Sequence, residues 1–310
     1  MGMINKKYYA LGTVVNLSVA EPNTVADLDA AFHLIQRYED KLTVNRKESE
    51  VMSINHNAGV KAVSVPDDTY DLIKTAVNVS QKHYGFNVAI GPLVKLWKIG
   101  FKGANKPRDA DIAQRLQVVD PLKIELNDED HSVFLKEKGM EIDLGGIAKG
   151  WIADQVKEFW ERSGIESGIV DLGGNILLVG SSLRPDRLWK IGIQDPIKKR
   201  NVPLGILHTA AKSIGTSGIY ERKLVVDGQE YHHMFDSLTG YPIANNLASV
   251  TIVSDRSIDG EIWSTIGFYQ GIKKGMALIE LEKGIEAIFI TRDHEVKTTS
   301  GLKDKFTLIQ

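Results

Sequence analysis

The feature that most narrows the fold is the order in which strand-like and helix-like segments follow one another. From residue 174 to 254 the chain reads almost wholly as strands. Residues 258 to 281 then read as one helix with a break near Gly271, and strands close the chain. A parallel sheet built from βαβ units needs a helix after nearly every strand, so this order predicts an α+β fold. Upstream, the β-branched run ALGTVVNLSV at 10 to 19 predicts a strand. Thr24 can cap a helix that runs to about Lys41, and a second helix is expected from near Pro66 to near Gly85. Glycine, lysine and proline between Gly100 and Pro107 predict a loop, with a small helix after it. Short strands are expected at 122 to 126, 132 to 136 and 140 to 144, and another at 168 to 171. A helix is expected from the glycine pair at 145 and 146 to about Ser163. Nothing marks a linker, so residues 1 to 310 are read as one catalytic domain. A short echo, Asp143-Leu144-Gly145-Gly146 and again Asp171-Leu172-Gly173-Gly174, fits either simple turn chemistry or internally duplicated α/β subdomains.

Composition removes several function classes. A formal net charge of -2 with scattered basic residues gives no footprint for nucleic acid, and Lys198-Lys199-Arg200 reads as a solvated loop. With no cysteine there is no disulfide, thiolate metal site or cysteine nucleophile. No segment has the length of a membrane helix, so the cytoplasm is the expected location, although a removed export signal would leave no trace.

Three segments carry the residue types that chemistry needs. In Glu141 to Gly150 an acidic residue precedes two glycines and a helix start that bears Lys149. Glycines admit a phosphate to the backbone, and free N–H groups at a helix start can bind it. A purely structural turn satisfies the same pattern. In Tyr231 to Pro242 two adjacent histidines on a strand must face opposite sides, so one can serve as a base while the other packs. Asp236 can orient an imidazole or meet a ligand, and a satisfied histidine beside a turn is the alternative. In Asp259 to Thr265, Glu261 and Thr265 stand four residues apart on one helix face. A carboxylate with a hydroxyl is hard oxygen ligation suited to Mg²⁺, and a solvated helix start would also carry acids here. Ser213 to Gly218 reads as a hydroxyl- and glycine-rich turn, and Ser49 to Asn55 sets polar groups beside apolar ones.

Seven motifs in order resemble the ApbE family of FAD:protein FMN transferases. They are SEVMSIN at 49 to 55, GPLVKLW at 91 to 97, DLGGIAKG at 143 to 150, DLGGN at 171 to 175, TSG at 216 to 218, HHMFDSLTGYP at 232 to 242 and GEIWST at 260 to 265. The resemblance spans nearly the whole chain and implies β-sheets flanked by helices around a central FAD-binding cleft. It implies FAD as substrate, Mg²⁺ against its pyrophosphate, and transfer of FMN to a threonine or serine of an acceptor flavoprotein with release of AMP. Carried over residue by residue, the metal set falls on Glu261, Thr265 and the Ala148 carbonyl, and the base on His233 rather than His232. The flavin nucleotide is assigned to Ser49, Glu50, Asn55, Asp143, Gly145, Gly146, Lys149, Gly174, Thr216, Ser217 and Asp236. The chain departs from the family pattern with Glu261 where aspartate is commoner, Ser237 in place of proline, and Asn87 in place of aspartate. The expected acceptor is a cytoplasmic flavoprotein, for example a soluble fumarate reductase. Hydrolysis of FAD to FMN and AMP, and flavin binding without catalysis, are the alternatives. Oligomeric state is not legible.

Overall fold

A computed structural model describes residues 2–309. Up to the middle of the chain the elements are β1 (Met3–Ala10), β2 (Thr13–Ala20), α1 (Val25–Leu42), α2 (Glu50–His56), β3 (Val63–Ser64), α3 (Asp67–Ser80), α4 (Gly91–Trp97), α5 (Asp109–Leu116), β4 (Ile124–Asn127), β5 (Ser132–Leu135) and α6 (Ala148–Arg162). Then come β6 (Ser167–Leu172), β7 (Asn175–Gly180), β8 (Trp189–Gln194), β9 (Pro203–Thr209), β10 (Ser213–Gly218), β11 (Lys223–Val226), β12 (Gln229–His232), β13 (Leu247–Ser254), α7 (Ser257–Ile279), β14 (Glu286–Thr291), β15 (Val296–Thr298) and β16 (Phe306–Leu308). Packing divides them into two units. The first takes the chain up to Glu39, Ile147–Gly218 and the stretch from Asn246 onward; the second takes Asp40–Gly146 and Ile219–Asn245.

The first unit is built on an eight-stranded sheet in the order β1-β2-β6-β7-β10-β13-β14-β15. Its neighbours all pair antiparallel; β1-β2, β6-β7 and β14-β15 are consecutive in the chain, and longer connections join the others. Every residue of β13 is buried, so this strand is covered on both faces. Helix α7 lies close against β10, where a Cβ on Gly215 would stand 3.2 Å from the Gly260 carbonyl carbon. Two facing glycines thus let helix and sheet approach nearly backbone to backbone. The break in α7 falls on Gly271, whose φ of 71° and ψ of 177° leave the helical region. A three-stranded sheet, β16-β9-β8, shares a core with the large one through Trp189, Leu207, Ile214, Val253 and Ile288.

The second unit holds a small sheet in the order β3-β5-β4, the hairpin β11-β12 and helices α2 to α5. Its core gathers Leu93, Trp97 and Ile99 from α4 and just beyond it around Ile112, Val119, Tyr231 and Phe235. Trp97 also donates from Nε1 to the Gly240 carbonyl at 3.0 Å. One fully buried indole therefore ties α4 to the segment after β12.

The α+β class is as expected, and three local readings are corrected. Residues 140 to 144 form no strand. Their backbone groups find partners outside a ladder: Asp143 N–H donates to the Val88 carbonyl, and the Asn55 amide pairs with both the N–H and the C=O of Ile142. Ser213 to Gly218 is the strand β10 rather than a turn, because β7 and β13 hydrogen-bond to it on either side. Residues 50 to 56 form α2, capped by Ser49, whose hydroxyl accepts from Met52 N–H at 2.9 Å. The first strand, β1, precedes the segment read as strand-like, and Leu11 and Gly12 turn the chain between β1 and β2 with positive φ.

Candidate functional site

In the first unit Glu261 lies where α6 packs against α7. Gly150, one turn into α6, sits so near α7 that an added Cβ would lie 2.4 Å from the Ser257 carbonyl oxygen and 2.8 Å from Glu261 Cγ. Only glycine brings these helices together without displacing one of them. The crossing sets Lys149 beside Glu261, with Nζ donating to Oε1 at 2.6 Å. Asn175, buried at the start of β7, donates from its amide to the same Oε1 at 2.9 Å. The Asn175 amide oxygen accepts from the Ser257 hydroxyl at 3.0 Å, so one side chain fixes both the first residue of α7 and its carboxylate. Asp154 of α6 closes the same end of α7, accepting from Ser257 N–H at 2.7 Å and Ile258 N–H at 2.9 Å. Burial pushes the Asp154 carboxyl up to about 6, against the lowering effect of those two N–H groups.

Glu261 is nearly enclosed, with 12% of its side chain exposed. Thr265 donates its hydroxyl proton to the Glu261 carbonyl at 3.1 Å, which leaves its oxygen lone pairs for an electrophile. Ala148 begins α6, and its carbonyl retains a second lone pair whatever the helix takes. Carboxylate, hydroxyl and carbonyl are the oxygen donors that Mg²⁺ prefers, so this set fits the ion. No group of three or more His, Cys, Asp or Glu suited to a metal occurs among the described residues, so further ligands would come from elsewhere, such as substrate phosphates. Thr216 and Ser217 lie on β10 in the same unit. Thr216 shares a hydroxyl hydrogen bond with Thr251 at 2.9 Å, and Ser217 shares one with Ser264 at 2.8 Å. Gly174 donates its N–H to Asp171 in the β6–β7 turn.

The second unit holds the two histidines. His232 ends β12, is buried, and has Nε2 3.0 Å from the Ile243 carbonyl while Nδ1 accepts from Met234 N–H. His233 stands one residue past the strand and is half-buried. Its Nδ1–H donates to the Arg222 carbonyl at 3.4 Å, a tautomer that makes Nε2 the proton-accepting nitrogen. The two imidazoles take different partners, the Ile243 carbonyl and the Arg222 carbonyl. Asp236 organises the following turn: its oxygens accept from Leu238 N–H and from the Thr239 hydroxyl. The glycine pair 145–146 belongs to this unit too, with Asp143 Oδ1 accepting from Gly145 N–H at 2.7 Å.

Ser49, Glu50 and Asn55 are placed in the second unit as local supports. Ser49 caps α2 and donates to the Thr43 carbonyl. Glu50 accepts from the Thr69 hydroxyl and pairs with Lys41 at 3.6 Å. Asn55 holds Ile142 and so sets the path of the chain into Asp143. Asn87 caps the short turn of helix at Val88–Ile90.

The family model described as the ApbE family matches residues 11–289. The chain belongs to the ApbE family. This ApbE-family chain is 43% identical over 277 residues to a Klebsiella pneumoniae (strain 342) protein named FAD:protein FMN transferase, covering 89% of this chain and 85% of that one. A Treponema pallidum protein of the same name is 34% identical, covering 96% and 87%. Among solved structures, an ApbE protein from Thermotoga maritima superposes with a TM-score of 0.90 at 26% identity, covering 98% of this chain and 99% of that one. Flavin transferase ApbE from Vibrio cholerae gives 0.84 at 26% identity, covering the same shares. Sequence reasoning about the ApbE motifs missed four residues: Gly150, Asp154, Asn175 and Ser257. Gly150 and Asn175 sit at the ends of two of those motifs, where a glycine inside a helix and an amide beside a hairpin were the available signals.

Proposed function

We propose that this chain transfers the FMN half of FAD to a threonine or serine hydroxyl of an acceptor protein, with Mg²⁺ bound, releasing AMP. The observation that carries the transfer itself is the 43% identity, over 89% of the chain, to a protein named FAD:protein FMN transferase. The site supports it. Glu261, Thr265 and the Ala148 carbonyl would hold Mg²⁺, which when bound neutralises pyrophosphate charge. Lys149 and Asn175 hold the Glu261 carboxylate in place. In the reaction the acceptor oxygen bonds to the FMN phosphorus, the bridging P–O bond breaks toward AMP, and His233 Nε2 takes the hydroxyl proton. The Arg222 carbonyl fixes the tautomer in which Nε2 can accept it.

Intact mass spectrometry of an acceptor incubated with FAD and Mg²⁺ tests the reading: the acceptor gains one FMN less water. Free FMN that appears at the same rate with or without a competent acceptor would point to hydrolysis instead. His233→Ala should slow transfer by about 10²–10⁴ and spare FAD affinity. His232→Ala should keep transfer but lower thermal stability, since it leaves the Ile243 carbonyl unpaired inside the second unit. Glu261→Gln should shift the Mg²⁺ midpoint of activity upward; an unchanged midpoint would remove Glu261 from the metal.

A further inference from the structure

The segment from Lys95 to Arg108 carries five cations and no acid, on a chain whose net charge is -2. It runs from the end of α4 to the start of α5 in the second unit. Beside it lies a cavity of about 290 Å³, lined by Lys95, Lys98, Asn105, Arg115 and Glu141 with apolar walls from Pro92 and Leu96. Three cations face one carboxylate there. Lys95 pairs with Glu141 at 2.6 Å, and Arg108 takes Asp111. Lys98 and Arg115 form no ion pair among the described residues. The positive charge of the cavity is therefore not consumed internally.

Lys98 adds a second observation. It ends α4 in the left-handed region, with φ 53° and ψ 27°. Glycine takes that conformation without strain, and a lysine does not. Lys98 shares this region with other non-glycine residues of the chain, such as Leu11 and Arg187, and at the end of α4 it lines the cavity. The same loop also reaches the residue that holds the base. A Cβ on Gly100 would lie 2.5 Å from Arg222 Cδ, and the Arg222 guanidinium stacks on Phe101 at 5.3 Å. Arg222 in turn accepts from His233 through its carbonyl. Cavity, loop and base are thus linked by direct contacts within one unit. The groups proposed to hold Mg²⁺, Glu261, Thr265 and the Ala148 carbonyl, belong to the other unit.

We propose that the Lys98–Arg115 cavity is a docking site for an acidic surface segment of the acceptor protein, outside the residue that receives FMN. The inference rests on the transfer reading above. An acidic segment gains two unpaired cations, one of them a guanidinium suited to a carboxylate fork. Attraction of this kind raises encounter rate and selects partners by charge, and salt weakens it.

The test uses the FAD-loaded enzyme and two threonine-containing peptides that differ only in three aspartates replaced by asparagines. Calorimetry should show the acidic peptide binding about fivefold to tenfold more tightly, as two exposed charge pairs allow. That advantage should collapse between about 0.02 and 0.3 M salt. Lys98→Gly combined with Arg115→Gln should abolish it, with FAD affinity unchanged and thermal stability not lowered, because glycine relieves the backbone at 98. No preference in the wild-type protein, a preference that survives both substitutions, or a parallel loss of FAD affinity would each overturn the proposal. A peptide that binds as stated but gains no FMN under mass spectrometry, while an intact acceptor also gains none, would sink the transfer reading and leave the acidic site standing.

Discussion

The two copies of Asp-Leu-Gly-Gly have identical sequence and different physics. Asp171-Leu172-Gly173-Gly174 closes a hairpin: Leu172 pairs with Asn175 across β6 and β7, and the two glycines between them take φ of 69° and 99°. Two positive φ values in a two-residue loop are what the strand twist demands, and they require glycine. A Cβ on Gly173 would also meet Thr13 Oγ1 at 2.3 Å. Asp143-Leu144-Gly145-Gly146 follows no strand, and neither glycine lies in the left-handed region. A Cβ on Gly146 would touch Phe86 at an ordinary 3.6 Å. The fold requires the first pair of glycines on backbone grounds, whereas in the second pair a Cβ on Gly145 would stand 3.0 Å from Asp143 Oδ1 and Gly146 alone has room for a side chain. A glycine without a structural reason leaves access as its reason, which suits a backbone meant to lie against a ligand.

Three substitutions would sharpen or break that contrast. Gly173→Ala should be the most damaging, destabilising the protein by about 2–4 kcal/mol through left-handed strain plus the Thr13 clash. Denaturant titration measures it, and a loss below 1 kcal/mol or so would mean that the hairpin relaxes easily. Gly146→Ala should leave the denaturation midpoint in place yet weaken FAD binding by about tenfold, or roughly 1.4 kcal/mol. Unchanged FAD affinity would return the second glycine pair to ordinary turn chemistry. The smallest effect concerns Asp143, the acid that opens the second of these motifs. The residue Asp143 is half-buried, but its carboxyl is enclosed, and burial pushes it above the usual range despite the Gly145 N–H and nearby Lys95. A raised folded-state value means that the folded chain binds the proton more tightly than the unfolded one. Its contribution is then present at low pH and lost as pH rises from the ordinary aspartate value, about 3.9, through the folded one. Asp143→Asn keeps an acceptor for Gly145 and does not titrate, so its thermal midpoint should gain on the wild type across that window. A constant difference between the two proteins would show that folding does not raise the carboxyl's proton affinity.

Much of the site was legible as residue types. Glu261 and Thr265 share a helix face because four residues make about one turn, and only one of the adjacent His232 and His233 was expected to serve as a base because strand side chains alternate. What holds them was not legible. Asn175 reaches Glu261 across 86 positions, and Asp154 caps a helix that begins 103 residues later. No local period encodes such pairs. The strand expected at 140 to 144 failed for the same reason, since a side-chain amide 87 residues upstream supplies the hydrogen bonds that a ladder would have supplied.

The sequence by itself determined the α+β class, through the long run of strands that no helix interrupts, and the family, through seven motifs in order. It also determined which residue types stand ready for a metal and a proton. Only the tertiary structure decided which glycines the backbone requires and which histidine is enclosed. It alone showed that a lysine stands in a glycine-like conformation at the rim of a cationic cavity. Those outcomes depend on the sign of φ and on neighbours distant along the chain. Neither is a property of a residue and its near neighbours in sequence, and both arise only when the sheet and helices pack.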